Sequence, residues 1–82
     1  MIRVNVKFFA ITRDLAGTDE TIVSIPEGST SSAVLESLAE SFPGLREWMG
    51  HLRVAVNLEY TGGDVILKDR DEVALIPPVS GG

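Results

Sequence analysis

Residues 29–42 carry the one long helical stripe in this chain: Val34, Leu35, Leu38, Ala39 and Phe42 recur at i, i+1, i+4, i+5 and i+8. Ser29 and Thr30 stand where an N-cap is needed. Pro43-Gly44 ends the run, because proline cannot supply the next helical donor and glycine reverses the chain at little steric cost. A lone amphipathic helix must bury its apolar stripe against a layer of another kind. The rest of the sequence offers that layer at period two.

Ile2, Val4, Val6 and Phe8 fall on one face of an extended segment, with Arg3, Asn5, Lys7 and Phe9 on the other, which is the pattern of a half-buried strand. Residues 10–16 break that period, and Gly17 before Thr18-Asp19 marks a stop, so a short helical turn with a glycine C-cap is expected there. Residues 21–25 are rich in β-branched strand formers and close at Pro26-Glu27-Gly28, giving a hairpin with the first strand. After the main helix, residues 45–49 suggest one further helical turn, with Trp48 and Met49 capping the edge of the core. Residues 53–58 read as a third strand, 61–64 as a turn, 65–67 as a short fourth strand, Asp69-Arg70-Asp71 as another turn and 72–76 as the last strand. The order ββαβββ, about five strands in a mixed sheet under one main helix, is an α+β two-layer arrangement and permits the ubiquitin-like β-grasp topology. A single domain over residues 1–82 is expected, with residues 77–82 as an extended tail.

Composition restricts the function more than the fold. There is no cysteine, which excludes disulfides, thiolate catalysis and cysteine-ligated metals. Seven Lys and Arg against twelve Asp and Glu leave a net charge of −5, the wrong sign for nucleic acid or an anionic membrane, and favour a basic protein partner. The alternating N-terminus offers no continuous apolar segment of the kind a secretory signal needs, so a soluble cytoplasmic protein is expected.

No side-chain active site assembles. His51 is the only histidine and has no companion at metal-ligand spacing. Glu36 and Glu40 stand on the polar side of the helix, Gly62-Gly63 lacks the strand-to-helix context of a phosphate loop, and Ser80 has no base at a fixed distance to activate it. What remains is the ending, Pro77-Pro78-Val79-Ser80-Gly81-Gly82. Two prolines stiffen the exit from the last strand, and two residues without Cβ make a thin tip. Either this is a frayed terminus or it is a tool for insertion into a partner. In the second case the reactive group is the main-chain carboxylate of Gly82. That carboxylate is ionised at neutral pH and must be activated, as by adenylation, before a nucleophile can attack it. Four extended residues, Val79 to Gly82, reach roughly 13–14 Å.

Phe8-Phe9-Ala10 with Arg13 and Gly17, then Ala55-Val56-Asn57, then Asp71-Glu72-Val73-Ala74 leading to Pro77-Pro78-Val79-Ser80-Gly81-Gly82, resemble the molybdopterin synthase small subunits, the MoaD family of sulfur carriers. The resemblance spans nearly the whole chain. It departs at Arg70, where the family usually has glycine, and at Leu75-Ile76, where aromatic residues are common. The resemblance implies that an ATP-dependent adenylyltransferase activates Gly82, that the carboxylate becomes a thiocarboxylate, and that the tail then enters the large synthase subunit to deliver sulfur to a pterin precursor. It implies a heterotetramer of two small and two large subunits. It also implies that the chain is not an enzyme by itself, holds no permanent cofactor and no metal, and leaves ATP to its activating partner.

Strand alternation proposes a docking patch. If Val73 and Leu75 face the helix, Ala74 and Ile76 face the other side of the sheet, where Phe9 either joins them or packs under residues 10–17. Other functions stay open on the same tail: a sulfur carrier for another product such as thiamine thiazole, cysteine or thiolated tRNA, or a protein modifier that forms an isopeptide bond through Gly82. An inert tail on a binding module is the fourth reading.

Overall fold

Ile2, Val4, Val6 and Phe8 are all buried, while Arg3 is exposed and Asn5 and Lys7 are half-buried, so β1 (Ile2–Phe8) has the two faces its alternation requires. The computed structural model describes residues 1–60 and 65–77, the side chain of Tyr60 excepted. Around β1 are built β2 (Glu20–Ile25), β3 (Arg53–Val56), β4 (Glu59–Tyr60) and β5 (Glu72–Ile76), in the spatial order β2-β1-β5-β3-β4. Four of these strands run from four to seven residues, and β4 adds only two at the edge. β1 pairs antiparallel with β2, Val4 opposite Val23, and parallel with β5, Val6 opposite Val73 and Phe8 opposite Leu75. β5 pairs antiparallel with β3 on its other side, Leu75 opposite Val54. The mixed sheet expected from the element order is therefore present, with its one parallel pair in the middle.

The helix α2 (Ser31–Ser41) lays Val34 and Leu38 into the buried cluster formed by Val4, Val6, Phe8, Val73 and Leu75. Leu35 and Phe42 pack against the same cluster from its margin, and the rings of Phe42 and Phe8 meet edge to face with centroids 5.6 Å apart. The helix stops at Phe42, whose N–H donates to the Leu38 carbonyl, because Pro43 cannot continue the ladder. Pro43 instead opens a 3-10 helix, Pro43–Trp48, which starts two residues before the expected turn. Its buried anchor is Leu45, fully inaccessible to solvent; Met49 packs at the margin of the core, and Trp48 is only half-buried.

The expected turn after β1 is the helix α1 (Ile11–Ala16), closed by Gly17 at φ 75°, whose N–H donates to the Arg13 carbonyl. Capping of α2 differs from expectation. Thr30 occupies the N-cap, but its side chain makes no capping bond. Instead the Ser31 N–H donates to the Val65 carbonyl (3.0 Å), the Val65 N–H donates to Ser31 Oγ (3.3 Å), and the Leu67 N–H donates to the Ser29 carbonyl (2.9 Å). A helix start leaves N–H groups without intrahelical partners, and residues 65–67 satisfy one of them.

Two expected strands are corrected. Residues 65–67 do not join the sheet; they make an isolated bridge, Thr30 to Ile66, and send Leu67 into the core. The third strand ends at Val56 rather than residue 58, because Asn57 (φ 50°) and Leu58 (φ 71°) form a two-residue turn that brings Glu59 back opposite Val56. Positive φ at both central residues matches the twist of a tight hairpin, although leucine is an unusual residue to adopt it. The turn expected over residues 61–64 lies outside the described residues.

Candidate functional site

Strand β5 is the element that leads to the C-terminal tail, and both of its edges are paired, with β1 on one side and β3 on the other. Val73 and Leu75 are fully buried beneath α2, which leaves Ala74 and Ile76 half-buried on the outer face of the sheet. Register carries Arg53 and Ala55 of β3 to that same face, opposite Ile76 and Ala74, and Ala55 is itself only 6% exposed. Pro77 follows Ile76 and is the last described residue. Of the tail residues singled out by sequence, Pro78, Val79, Ser80, Gly81 and Gly82 lie outside the described residues.

Phe9 stands just past the last paired position of β1, Phe8 opposite Leu75, at the end of the sheet where Ile76 meets Pro77. It remains 47% exposed, far more than a ring covered by α1 would be. Its backbone is pinned on both sides by Thr12: the Phe9 N–H donates to Thr12 Oγ1 (2.9 Å), and that hydroxyl donates to the Phe9 carbonyl (2.6 Å). The Thr12 N–H bonds the same carbonyl (3.1 Å), closing a turn through Ala10 at φ 52°, ψ −125°, the conformation of the first central residue of a type II′ turn. Thr12 is fully buried and was not among the residues picked out by sequence. Its spacing, three residues after Phe9 at the start of a helix, is the signal that could have found it.

The other motif residues are brought together as supports for β5. Asn57 Nδ2 donates to Asp71 Oδ1 (3.0 Å), the Glu72 N–H donates to Asn57 Oδ1 (2.9 Å), and the Asn57 N–H donates to the Glu72 carbonyl (2.8 Å). Asp71 Oδ2 accepts from the Lys68 N–H (2.8 Å), and the Asp71 carbonyl accepts from the Asn5 N–H (2.9 Å). The turn before β5 is thus tied to β1 and to the β3–β4 turn. Arg70 in that turn sits at φ 71°, a left-handed conformation that disfavours any side chain with a Cβ.

On the outer face Lys7 Nζ pairs with Glu72 Oε1 at 2.9 Å. The Glu72 hydrogen bond and charge hold the Lys7 ammonium above the ordinary lysine value of 10.5 against an opposing desolvation effect, with a lesser contribution from Glu20. Arg3, Arg53 and Arg70 also stand on this face or at its rim, against Glu20, Glu72 and Asp69. The chain's net negative charge therefore does not describe the sheet's outer surface.

Among the described residues no group of three His, Cys, Asp or Glu side chains is placed to hold a metal, and no helix is long and apolar enough to cross a membrane. Every buried side-chain nitrogen and oxygen among them has a hydrogen-bond partner. The described body thus presents an apolar patch, a paired charge and a strand aimed at the tail.

Residues 6–82 match the model of the ThiS family. A molybdopterin synthase sulfur carrier subunit of Arabidopsis thaliana is 40% identical over 99% of this chain and 84% of its own length. Among solved structures, a Pyrococcus furiosus protein assigned as molybdopterin converting factor subunit 1 superposes with a TM-score of 0.87 at 33% identity, covering 96% of this chain and 100% of that one. The small archaeal modifier protein 1 of Methanosarcina acetivorans reaches a TM-score of 0.83 at 33% identity over 100% of this chain and 98% of its own. A complex of subunits 1 and 2 of the molybdopterin-converting factor from Helicobacter pylori contains a chain that matches at 27% identity with a TM-score of 0.70, covering 99% of this chain and 100% of that one. The fold with its central tail-bearing strand and the full-length match agree, and the chain belongs to the ThiS family, in which it is most readily compared with molybdopterin synthase sulfur carrier subunits.

Proposed function

We propose that this chain is the sulfur carrier subunit of a molybdopterin synthase and that its working group is the carboxylate of Gly82. The observation that carries this reading is the 40% identity to a sulfur carrier subunit over 99% of the chain, beside a family match that runs through residue 82. In the proposed cycle an ATP-dependent activating enzyme forms an acyl adenylate at Gly82 and releases pyrophosphate. The terminal sulfur of a protein persulfide displaces AMP, and a thiol then cleaves the resulting acyl disulfide, leaving a thiocarboxylate. This enters the large synthase subunit, where sulfur passes to the pterin precursor.

In this division of labour the chain is a substrate-like donor rather than a catalyst. It holds no permanent cofactor, ATP serves the activating partner, and two carriers join two large subunits in the cytoplasm without contacting nucleic acid or membrane. The residues Pro77, Pro78, Val79, Ser80 and Gly81 form the insertion tail, and Phe9, Ala74 and Ile76 form the docking patch beside it. The exposure of Phe9 and the outward position of Ile76 support that patch. Replacing Phe9 or Ile76 by Asp weakens binding to the large subunit in this scheme; unchanged affinity for both variants would sink the patch.

The decisive test is reconstitution with the large subunit, the activating enzyme and a sulfur source, assaying dithiolene formation for the whole chain and for a chain lacking Gly82. Activity without Gly82 overturns the proposal. Likeness to an archaeal modifier protein favours a second reading, conjugation of Gly82 to protein lysines. Intact-mass analysis of native protein separates the two: an oxygen-to-sulfur exchange marks the carrier, and lysine adducts mark the modifier.

A further inference from the structure

At the end of the outer sheet face remote from Pro77 lies a cleft of about 250 Å³ lined by Arg3, Asn5, Ile22 and Arg70. Arg3 and Asn5 belong to β1, Ile22 stands opposite Asn5 on β2, and Arg70 comes from the turn before β5, on the far side of β1. The two arginines are set by their backbones: the Arg70 N–H donates to the Arg3 carbonyl (2.7 Å), and the Arg3 N–H donates to Asp69 Oδ1 (2.8 Å). Asp69 Oδ2 lies 3.9 Å from Arg70 Nε, with the arginine side chain 92% exposed, so it offsets that charge only in part. Ile22 is 65% exposed between these groups, an apolar surface that a bare anion would not use.

We propose that this cleft receives an acidic segment of the large synthase subunit, with a carboxylate between the guanidiniums of Arg3 and Arg70 and an apolar neighbour seated on Ile22. The proposal rests on the functional reading above and adds the chemistry of the partner's surface. Guanidinium groups match carboxylates in shape and hydrogen bonding, and paired arginines beside an apolar floor suit a peptide side chain better than a free ion. Arg70 holds a backbone conformation that glycine would adopt without steric cost, yet an arginine stands there. Leu58 shares that strain, so strain alone does not single out Arg70; the cleft does.

Position gives the site its role. At about 3.3–3.4 Å per residue, β1 separates Arg3 from Phe8 by roughly 17 Å. An apolar patch at the tail end alone leaves the carrier free to pivot. A second, charged attachment at the opposite end fixes the direction in which the tail is presented.

The test measures affinity of the full chain for the purified large subunit at several salt concentrations. The expected result is that Arg3→Glu with Arg70→Glu binds about tenfold more weakly, with a flattened salt dependence, and that Arg70→Gly alone loses about threefold. A double variant within about twofold of the unchanged chain overturns the proposal, as does a loss confined to the activating enzyme. If circular dichroism shows the double variant unfolded, Arg3→Gln and Arg70→Gly carry the test, and undiminished affinity for both overturns it. Ile76→Asp separates the two readings: if it alone abolishes binding, the carrier assignment stands and this site falls. If the unchanged chain does not bind the large subunit, both fall.

Discussion

Asn57 and Asp71, fourteen residues apart, are joined by a 3.0 Å hydrogen bond from Nδ2 to Oδ1, and the remaining oxygens of both side chains take backbone N–H groups, of Glu72 and Lys68. Two motif residues that could have been taken for a reactive pair thus serve to hold the entrance to β5. Replacing either by Ala should cost about 1–2 kcal/mol in urea unfolding, since each leaves backbone or side-chain groups without partners. The double replacement should cost less than the sum of the singles by about 0.5 kcal/mol or more. Strict additivity would show that the two side chains act independently.

Among the described residues four side chains stand at positive φ, and Arg70 and Leu58 lie furthest into that region. Arg70 and Leu58 both have φ of 71°, and Leu58 is 86% exposed, so little packing is lost on trimming it. Arg70→Gly and Leu58→Gly should each raise stability by about 0.5–1 kcal/mol, relief of left-handed strain exceeding the added entropy of the unfolded glycine. A drop in the thermal midpoint for either would mean that the side chain makes up the strain through its contacts.

The 3-10 helix depends on Leu45 and much less on Trp48. Leu45→Ala should lose about 2–5 kcal/mol, the range for a fully buried leucine whose cavity does not collapse. Trp48→Ala should lose less, because the indole is only half-buried. Denaturant midpoints for the two variants compare them directly; the reverse order would move the anchor of this segment to Trp48.

The Lys7–Glu72 pair predicts an alkaline effect of definite sign. Glu72 raises the folded-state value of Lys7 above 10.5, so the pair's contribution is complete below that value and disappears as pH rises through the raised folded one. Thermal midpoints from about pH 9 to 12 should fall more steeply for the unchanged chain than for Glu72→Gln. Parallel curves would show that the pair adds nothing.

How far the sequence could be read depended on whether the controlling signal was local. β1 and α2 have sharp periodicities, and Gly17 and Pro43 are clear stops, so the element order, the buried face and the path of β5 were all legible. The β3–β4 turn was not. The chain turns at Asn57-Leu58, inside the segment expected to be strand, and nothing in the local propensity of leucine announces a positive φ. Residues 65–67 have strand composition and do extend, but their partners are the unsatisfied groups at the start of α2, a destination set by tertiary placement. The outward position of Ala74 and Ile76 followed from alternation. The Arg3–Arg70 cleft could not, since a backbone bond between residues so far apart in sequence creates it.

The place of β5 between β1 and β3 also decides how the molecule bears load. For a pull applied at Pro77 along the strand axis, the ladders on both sides of β5 lie across the load. They are loaded in shear, all together, rather than peeled open one rung at a time. In the proposed cycle, a tail anchored this way would be drawn into a partner and withdrawn again, turnover after turnover, while the body to which it is attached keeps its shape.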